Sequence, residues 1–125
     1  MKIITAQEHQ AVESPAVLSL ANDVDPRTLD LNGVTRIDLH FPAFTDGRAY
    51  SQAFLLRRRL RFAGELRATG DVLIDQLVQM RRTGFDVAVL KDGVDASAAQ
   101  RQLDRYAGFY QGSAVDTQPL FAKAD

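Results

Sequence analysis

The stretch FPAFTDGRAYS, residues 41–51, joins a predicted strand to a predicted helix and organises the rest of the chain. It contains a proline and an Asp-Gly turn signal, which predict a loop. Before it, residues 34–41 alternate in the manner of a half-buried strand. Ile37, Leu39 and Phe41 share one face, and Arg36, Asp38 and His40 share the other. After it, residues 49–60 carry apolar side chains at helical spacing.

Strand and helix patterns also alternate on both sides of this stretch. Upstream, residues 16–21 predict a short strand, and Asp25 and Pro26 predict the start of a short helix that ends before Gly33. Ile3 and Ile4 could add an edge strand. Downstream, the pattern predicts strands at 65–69 and 85–90, each followed by a helix, at 72–83 and 96–110. Aspartates are the expected N-caps of these two helices, Asp71 and Asp95. The expected buried stripe of the last helix is Ala99, Leu103, Tyr106 and Tyr110.

This β-α order predicts one α/β domain over residues 1–125, with about four mainly parallel strands and peripheral segments at 1–15 and 112–125. Buried parallel strands are normally apolar on both faces, yet two strands here carry ionisable residues at alternate positions. Helices on one face only, as in a fragment of a β/α barrel, would leave a polar face for a ligand or a partner subunit. The alternative is a three-layer α/β sandwich in which these strands lie at an edge. We favour the first, because neighbouring strands share the pattern.

The composition excludes several classes of function. The chain has 15 basic and 16 acidic residues and no cysteine, which leaves no electrostatic case for nucleic acid and no thiolate chemistry. No apolar run is long enough to span a bilayer and no signal peptide is visible, so a cytoplasmic location is expected. His9 and His40 share no metal-ligand spacing, so no metal site and no cofactor are predicted. Twelve of the basic residues are arginine, which suits either anion recognition or a GC-rich genome.

Candidate site residues lie where the strands run into helices, because ligands of parallel α/β proteins collect there. Arg48 and Lys91 could bind an anion, and Asp46, Asp71 and Asp92 could bind a cation or transfer a proton. Turn and capping roles explain these aspartates equally well. Two further ligand-binding candidates occupy the helices that follow, Ser51 and Asp75.

Glu65 and Arg67 are candidates for a different reason, since charges on an inner strand need a partner. Glu65 is a candidate catalytic acid beside an anion-binding Arg67, or the two could pair with Asp38 and Arg36 as structure. The arginines that end the 49–60 helix have a simpler interpretation, a solvated helix end that suits the helix dipole. They are Arg57, Arg58, Arg59 and Arg61.

Three motifs carry a resemblance to a known family: residues 41–53, residues 64–77 and residues 82–86. They resemble a family of small bacterial proteins whose genes often lie beside assimilatory sulfite reductase, and which are named for an oxidoreductase role in sulfite reduction. The resemblance covers about residues 16–111. Ala49 stands where the family commonly has glycine, and Thr83 where cysteine is common. A required thiol at position 83 is therefore excluded.

The resemblance implies sulfur assimilation without a demonstrated activity. Sulfite reduction needs a siroheme and a cysteine-ligated cluster, for which this chain has no ligand or motif. Our leading hypothesis is an accessory or partner protein of sulfite reductase, with an anion site around Arg48 and Arg67. The second is a small enzyme that uses Glu65, Arg67 and Asp46 on a carboxylate or phosphate. The third is a structural, dimer-forming subunit whose polar face is only an interface.

Overall fold

The computed structural model describes residues 1–9, 14–43 and 45–106. They form one sheet of five parallel strands in the order β1-β5-β4-β3-β2. The strands are β1 (Lys2–Thr5), β2 (Val17–Leu20), β3 (Arg36–Phe41), β4 (Glu65–Gly70) and β5 (Val87–Leu90). The predicted four strands are present and parallel, and Ile3 and Ile4 add the fifth at an edge.

The α-helices follow β3, β4 and β5 along the chain. Between β3 and β4 lies α1 (Arg48–Phe54), which continues as a π-helical turn over Leu55–Arg59. Between β4 and β5 a 3-10 turn (Ile74–Gln76) leads into α2 (Leu77–Thr83), and α3 (Ala96–Tyr106) follows β5. A 3-10 turn (Pro26–Thr28) lies between β2 and β3.

The α-helices pack on one face of the sheet, as the alternation predicted. Leu39, Leu66 and Ala88 project from the central strands into the main core. The helices contribute the other wall of that core: Ala49, Ala53, Leu77, Met80, Ala99 and Leu103. Because β1 and β2 are the two edges among the described strands, the sheet is not a closed barrel. The α/β class and the parallel sheet are confirmed, and the open sheet is consistent with either a partial barrel or a sandwich.

The opposite face of the sheet, called here the polar face, carries Arg36, Asp38 and His40 of β3 and Glu65, Arg67 and Thr69 of β4. Its register places Arg36 beside Glu65 and Asp38 beside Arg67. The chain leaves β1 onto this face, since His9 contacts side chains of both β3 and β4. The next residue that the structure describes, Ser14, forms a bridge with Val17 of β2, at the opposite edge of the sheet.

Two predictions about polar residues are wrong. Asp71 is not an N-cap, because the chain stays extended at Leu73 and the helical turn begins at Ile74. The Gln76 side chain accepts a hydrogen bond from the Leu73 N–H at 3.3 Å, while Asp71 forms an ion pair with Lys91. By contrast, Asp25 and Asp95 cap their helices as expected.

Arg57 is the second correction, because it is not part of a solvated helix end. Its side chain is only 10% exposed, since the π-helical turn directs it inward. Arg58, Arg59 and Arg61 are exposed, as predicted. The predicted inner position Tyr110, the Tyr106 side chain, Phe44 and the tail from residue 112 lie outside the described residues.

Candidate ligand pocket on the polar face

Opposite charges alternate over the polar face both along and across the strands. Arg36 makes two hydrogen bonds of 2.8 Å to the Asp38 carboxylate, and the Arg67 Nε donates to Glu65 Oε2 at 2.8 Å. Asp38 is 5% exposed, so its charge is stable there only because the guanidinium matches it. The charged side chains of these two strands are therefore paired with one another on the polar face.

His9 links the two ion pairs. The Arg67 Nη1 lies 3.0 Å from His9 Nδ1, and His9 Nε2 lies 3.8 Å from Asp38 Oδ2. A guanidinium can only donate, so Nδ1 accepts and the neutral ring carries its proton on Nε2. Burial lowers the pKa of His9; the Asp38 carboxylate opposes this, while Arg36 and Arg67 reinforce it. The geometry therefore favours a neutral imidazole directed at Asp38.

A pocket of about 340 Å³ opens beside this network, at the carboxyl-terminal halves of β2, β3 and β4. Within the described part of the chain, neither the Ser19 hydroxyl nor the His40 imidazole has a hydrogen-bond partner. The Thr69 hydroxyl makes only a long bond, of 3.4 Å, to the Leu39 carbonyl. Polar groups are thus open at the end of the sheet where parallel α/β proteins bind ligands. The lining residues are His9, Ser19, Leu20, Ala21, Asp38, His40 and Thr69.

The walls of the pocket are fixed by two contacts. Gly70 has a φ of +89°, and a Cβ at this position would meet the Phe41 carbonyl oxygen at 2.3 Å and the His40 ring at 2.7 Å. The missing side chain lets the His40 ring lie against the β4 backbone. On the other wall, the buried Gln52 amide of α1 donates to the Ala21 carbonyl at 2.9 Å, which holds the end of β2.

The candidates at the strand ends are arranged as separate ion pairs. Arg48 donates to the Asp46 carboxylate at 3.1 and 2.8 Å, and Asn22 donates to the same carboxylate at 2.7 Å. The bond from Arg48 holds the pKa of Asp46 well below its usual range. Lys91 pairs with Asp71 in the same internal manner. The remaining candidates at this edge are exposed side chains: Ser51, Asp75 and Asp92.

Arg48 and Arg67, predicted together as an anion site, lie in different surroundings. Arg48 begins α1 on the helical side of the sheet, where its guanidinium pairs with Asp46. Arg67 lies on the polar face, where its Nε donates to Glu65 and its Nη1 to His9. Glu65 and Arg67 are brought together as predicted, whereas Asp46 belongs to the other cluster.

Sequence reasoning missed the residues that line the pocket. The alternation that placed Asp38 on the polar face also placed His40 there, and Thr69 follows Arg67 at the same period, so both could have been found. His9 carried no such signal, because it reaches the site through the path of the chain after β1. Within residues 1–9, 14–43 and 45–106, no cluster of three or more His, Asp or Glu side chains could hold a metal ion. None of the helices described there has the length and apolarity to cross a membrane.

Comparison with known protein families places the chain in one of them. Residues 17–121 match the model of a family described as a bacterial protein of unknown function, DUF934. The match includes Ser19, Asp38, His40 and Thr69, whereas β1 and His9 precede it. No curated protein and no solved structure shows significant similarity to the chain.

Proposed function

We propose that this chain, which belongs to the DUF934 family of bacterial proteins of unknown function, binds a small oxyanion in its polar-face pocket as an accessory protein of sulfite reduction. The observation that carries the proposal is the set of open polar groups at the carboxyl ends of β2, β3 and β4. These are the Ser19 hydroxyl, the His40 imidazole and the weakly bonded Thr69 hydroxyl.

The chemistry of these groups favours an anion over a cation. Among the described residues that line the pocket, Asp38 is the only carboxylate, and Arg36 and His9 already engage it. The remaining groups can all donate hydrogen bonds, and the oxygens of an oxyanion accept them. Sulfite and sulfate fit this pattern and present several acceptor oxygens in a small volume.

Support for the link to sulfur assimilation comes from the motifs at residues 41–53, 64–77 and 82–86, through the family that they resemble. With no cysteine, the chain cannot ligate the iron–sulfur cluster that sulfite reduction requires. The role proposed is therefore delivery or sensing of the anion beside sulfite reductase, its proposed partner.

Calorimetric titration of the full chain with sulfite, sulfate and phosphate at pH 7 tests the proposal. We expect saturable binding of sulfite or sulfate that becomes about tenfold weaker in Ser19→Ala and in His40→Gln, since each variant removes one hydrogen bond. Ser51→Ala is the matched control, because it removes an exposed hydroxyl on α1, and its affinity should not change.

Arg48→Ala separates this site from the one predicted at the strand ends. Loss of binding in Arg48→Ala, with binding by Ser19→Ala and His40→Gln unaffected, would show that the anion binds at the start of α1 instead. No heat of binding at about 10 mM of any of the three anions would contradict the proposal. Growth of a deletion strain on sulfate as sole sulfur source, complemented with the same variants, tests the pathway separately.

A further inference from the structure

Nine of the twelve arginines of this protein fall into two groups. Those on or beside the strands are matched by carboxylates in the ion pairs Arg27–Asp25, Arg36–Asp38, Arg48–Asp46, Arg57–Asp86 and Arg67–Glu65. In contrast, Arg58, Arg59, Arg61 and Arg81 have no ion pair within the described part of the chain. Arg101 on α3 has no ion pair there either, but the other four lie together, in a molecule whose net charge is −1.

These four arginines share one end of the molecule. Three follow α1, and the fourth lies in the last turn of α2. Arg57 links the ends of the two helices, because its Nε donates a hydrogen bond of 3.0 Å to the carbonyl of Gly84, which ends α2. Both helices run back from the carboxyl ends of the strands, so their last turns lie at the opposite end of the sheet from the pocket.

An exposed aromatic ring lies among these charges. Phe54 is 46% exposed, and the Arg58 guanidinium lies 5.5 Å from the centre of its ring. The helix dipole accounts for cations at a helix end, but it gives no reason for an exposed phenyl ring beside them. Arginine and aromatic side chains together are enriched at the centres of protein–protein interfaces.

The backbone conformation of Arg61 is a second indication that this end of the molecule has a binding role. This residue adopts the left-handed region with a φ of 54°, which non-glycine residues seldom do. A glycine would take this conformation without strain, so the arginine side chain is present at a cost to the fold. The Arg61 side chain is exposed and makes no ion pair with the described residues that would offset this strain.

We propose that Phe54, Arg58, Arg59, Arg61 and Arg81, called here the arginine surface, form the docking site for an acidic surface of a partner protein. Charge complementarity identifies the occupant, because carboxylates would match guanidiniums that the described residues leave unpaired. A protein is favoured over nucleic acid because 16 acidic residues elsewhere on the chain would repel a long polyanion. The inference does not rest on the anion pocket.

Photo-crosslinking tests the surface even though the identity of the partner is not specified. The probe is p-benzoylphenylalanine at position 54, introduced into the full chain in the bacterium that encodes it. The control carries the same group at Ser97, an exposed position at the start of α3 near the other end of the sheet. We expect a crosslinked protein from position 54 but not from position 97, with the attachment in an Asp- and Glu-rich segment.

Charge reversal then tests the chemistry on the purified pair. Arg58→Glu/Arg59→Glu/Arg61→Glu should weaken binding at least about tenfold, mainly through slower association, and Lys substitutions in the acidic segment of the partner should restore it. Arg27→Glu/Arg101→Glu, which reverses two charges away from this surface, is the control and should bind normally. If the triple variant fails to fold, Arg61→Gly replaces it. That variant should unfold at an equal or higher urea concentration while binding more weakly.

Each other outcome overturns the inference. These outcomes are no crosslink at position 54, the same product from position 97, a product that nuclease removes, a second copy of this chain as the product, or unchanged binding after charge reversal. Failure of anion binding in the pocket would leave these results unaffected, so the two proposals can fail separately.

Discussion

The Arg57 guanidinium donates hydrogen bonds to the carbonyl oxygens of Phe62, Gly64 and Gly84 and to the Asp86 carboxylate. One side chain thereby holds the end of α1, the start of β4 and the end of α2. Its neighbours Arg58 and Arg59 have the same chemistry but face solvent. Position on the π-helical turn, not residue type, therefore decides which arginine is structural.

Arg57→Ala should lower the free energy of unfolding by about 3 kcal/mol, because it leaves several polar groups near the core without their donor. Arg57→Lys should cost less, since an ammonium retains the charge but not the planar set of donors. Arg59→Ala is the control and should stay within about 0.5 kcal/mol of the unmodified protein. Urea unfolding measures all three; a change below about 1 kcal/mol for Arg57→Ala would contradict the structural role of this side chain.

His9 makes stability depend on pH in a predictable direction. Its pKa is lowered in the fold by burial, so the unfolded chain takes up a proton first as the pH falls below about 6.5. The free energy of unfolding should therefore be highest above neutral pH and fall towards pH 5.5. His9→Gln keeps an acceptor for Arg67 but cannot titrate, so its pH profile should be flatter over this range. Identical changes in stability for the two proteins, measured by urea unfolding at pH 7.5 and 5.5, would refute this assignment.

At the scale of elements, the end of β4 decides both the packing of the next helix and the shape of the pocket. Gly70 takes a left-handed conformation while its backbone passes close to Phe41 and His40. Gly93 has nearly the same backbone angle, with a φ of +86°, but nothing described lies within 4 Å of an added Cβ. Substitutions at the two glycines therefore distinguish the cost of backbone strain from the cost of steric contact.

Gly93→Ala should cost about 1 kcal/mol, the usual penalty for alanine in this conformation. Gly70→Ala should cost more, about 2–4 kcal/mol, because the methyl group also has to displace Phe41 or His40. It should also weaken anion binding, whereas Gly93→Ala should not. Thermal unfolding and calorimetric titration of both variants provide the comparison, and equal costs would show that the close contacts do not matter.

Much of the fold could be predicted from local pattern, because alternation and helical spacing are properties of neighbouring residues. Arg36, Asp38 and His40 revealed the polar face, and the β-α order revealed parallel strands. The start of the helix after β4 could not be predicted, since Gly70 turns the chain and postpones it. The inward position of Arg57 was equally hidden, because the π-helical turn shifts the period that a sequence pattern assumes.

The pocket depends on contacts between distant parts of the chain, which local patterns do not encode. Ser19 and His40 come from adjacent strands that are 21 positions apart in sequence. His9 reaches them only because β1 occupies the edge beside β5 and the chain leaves that strand onto the polar face. Arg48 and Arg67 appeared equivalent in sequence, yet the sheet separates them.

At the scale of the whole molecule, β1 forms one edge of the sheet. Ile3 and Ile4 are 9% and 5% exposed, each buried on a different face. Deletion of residues 1–9 should lower the free energy of unfolding by more than about 3 kcal/mol, since it removes two buried isoleucines and the pairing of β1 with β5. It should also weaken anion binding through the loss of His9. Ile4→Val is the mild control, with an expected cost of about 1 kcal/mol in urea unfolding.

The strand order also has a consequence for synthesis. β1 is the first of the described strands to leave the ribosome, yet its neighbour in the sheet is β5, the last of them. β3, β4 and β5 can each pair with the strand made just before it, while β1 waits until residue 90 has emerged. His9 follows β1 by four positions and docks in the same final step. A nascent chain can therefore present Ser19, His40 and Thr69 early, but it acquires His9, the remaining imidazole of the pocket lining, only when its sheet is complete.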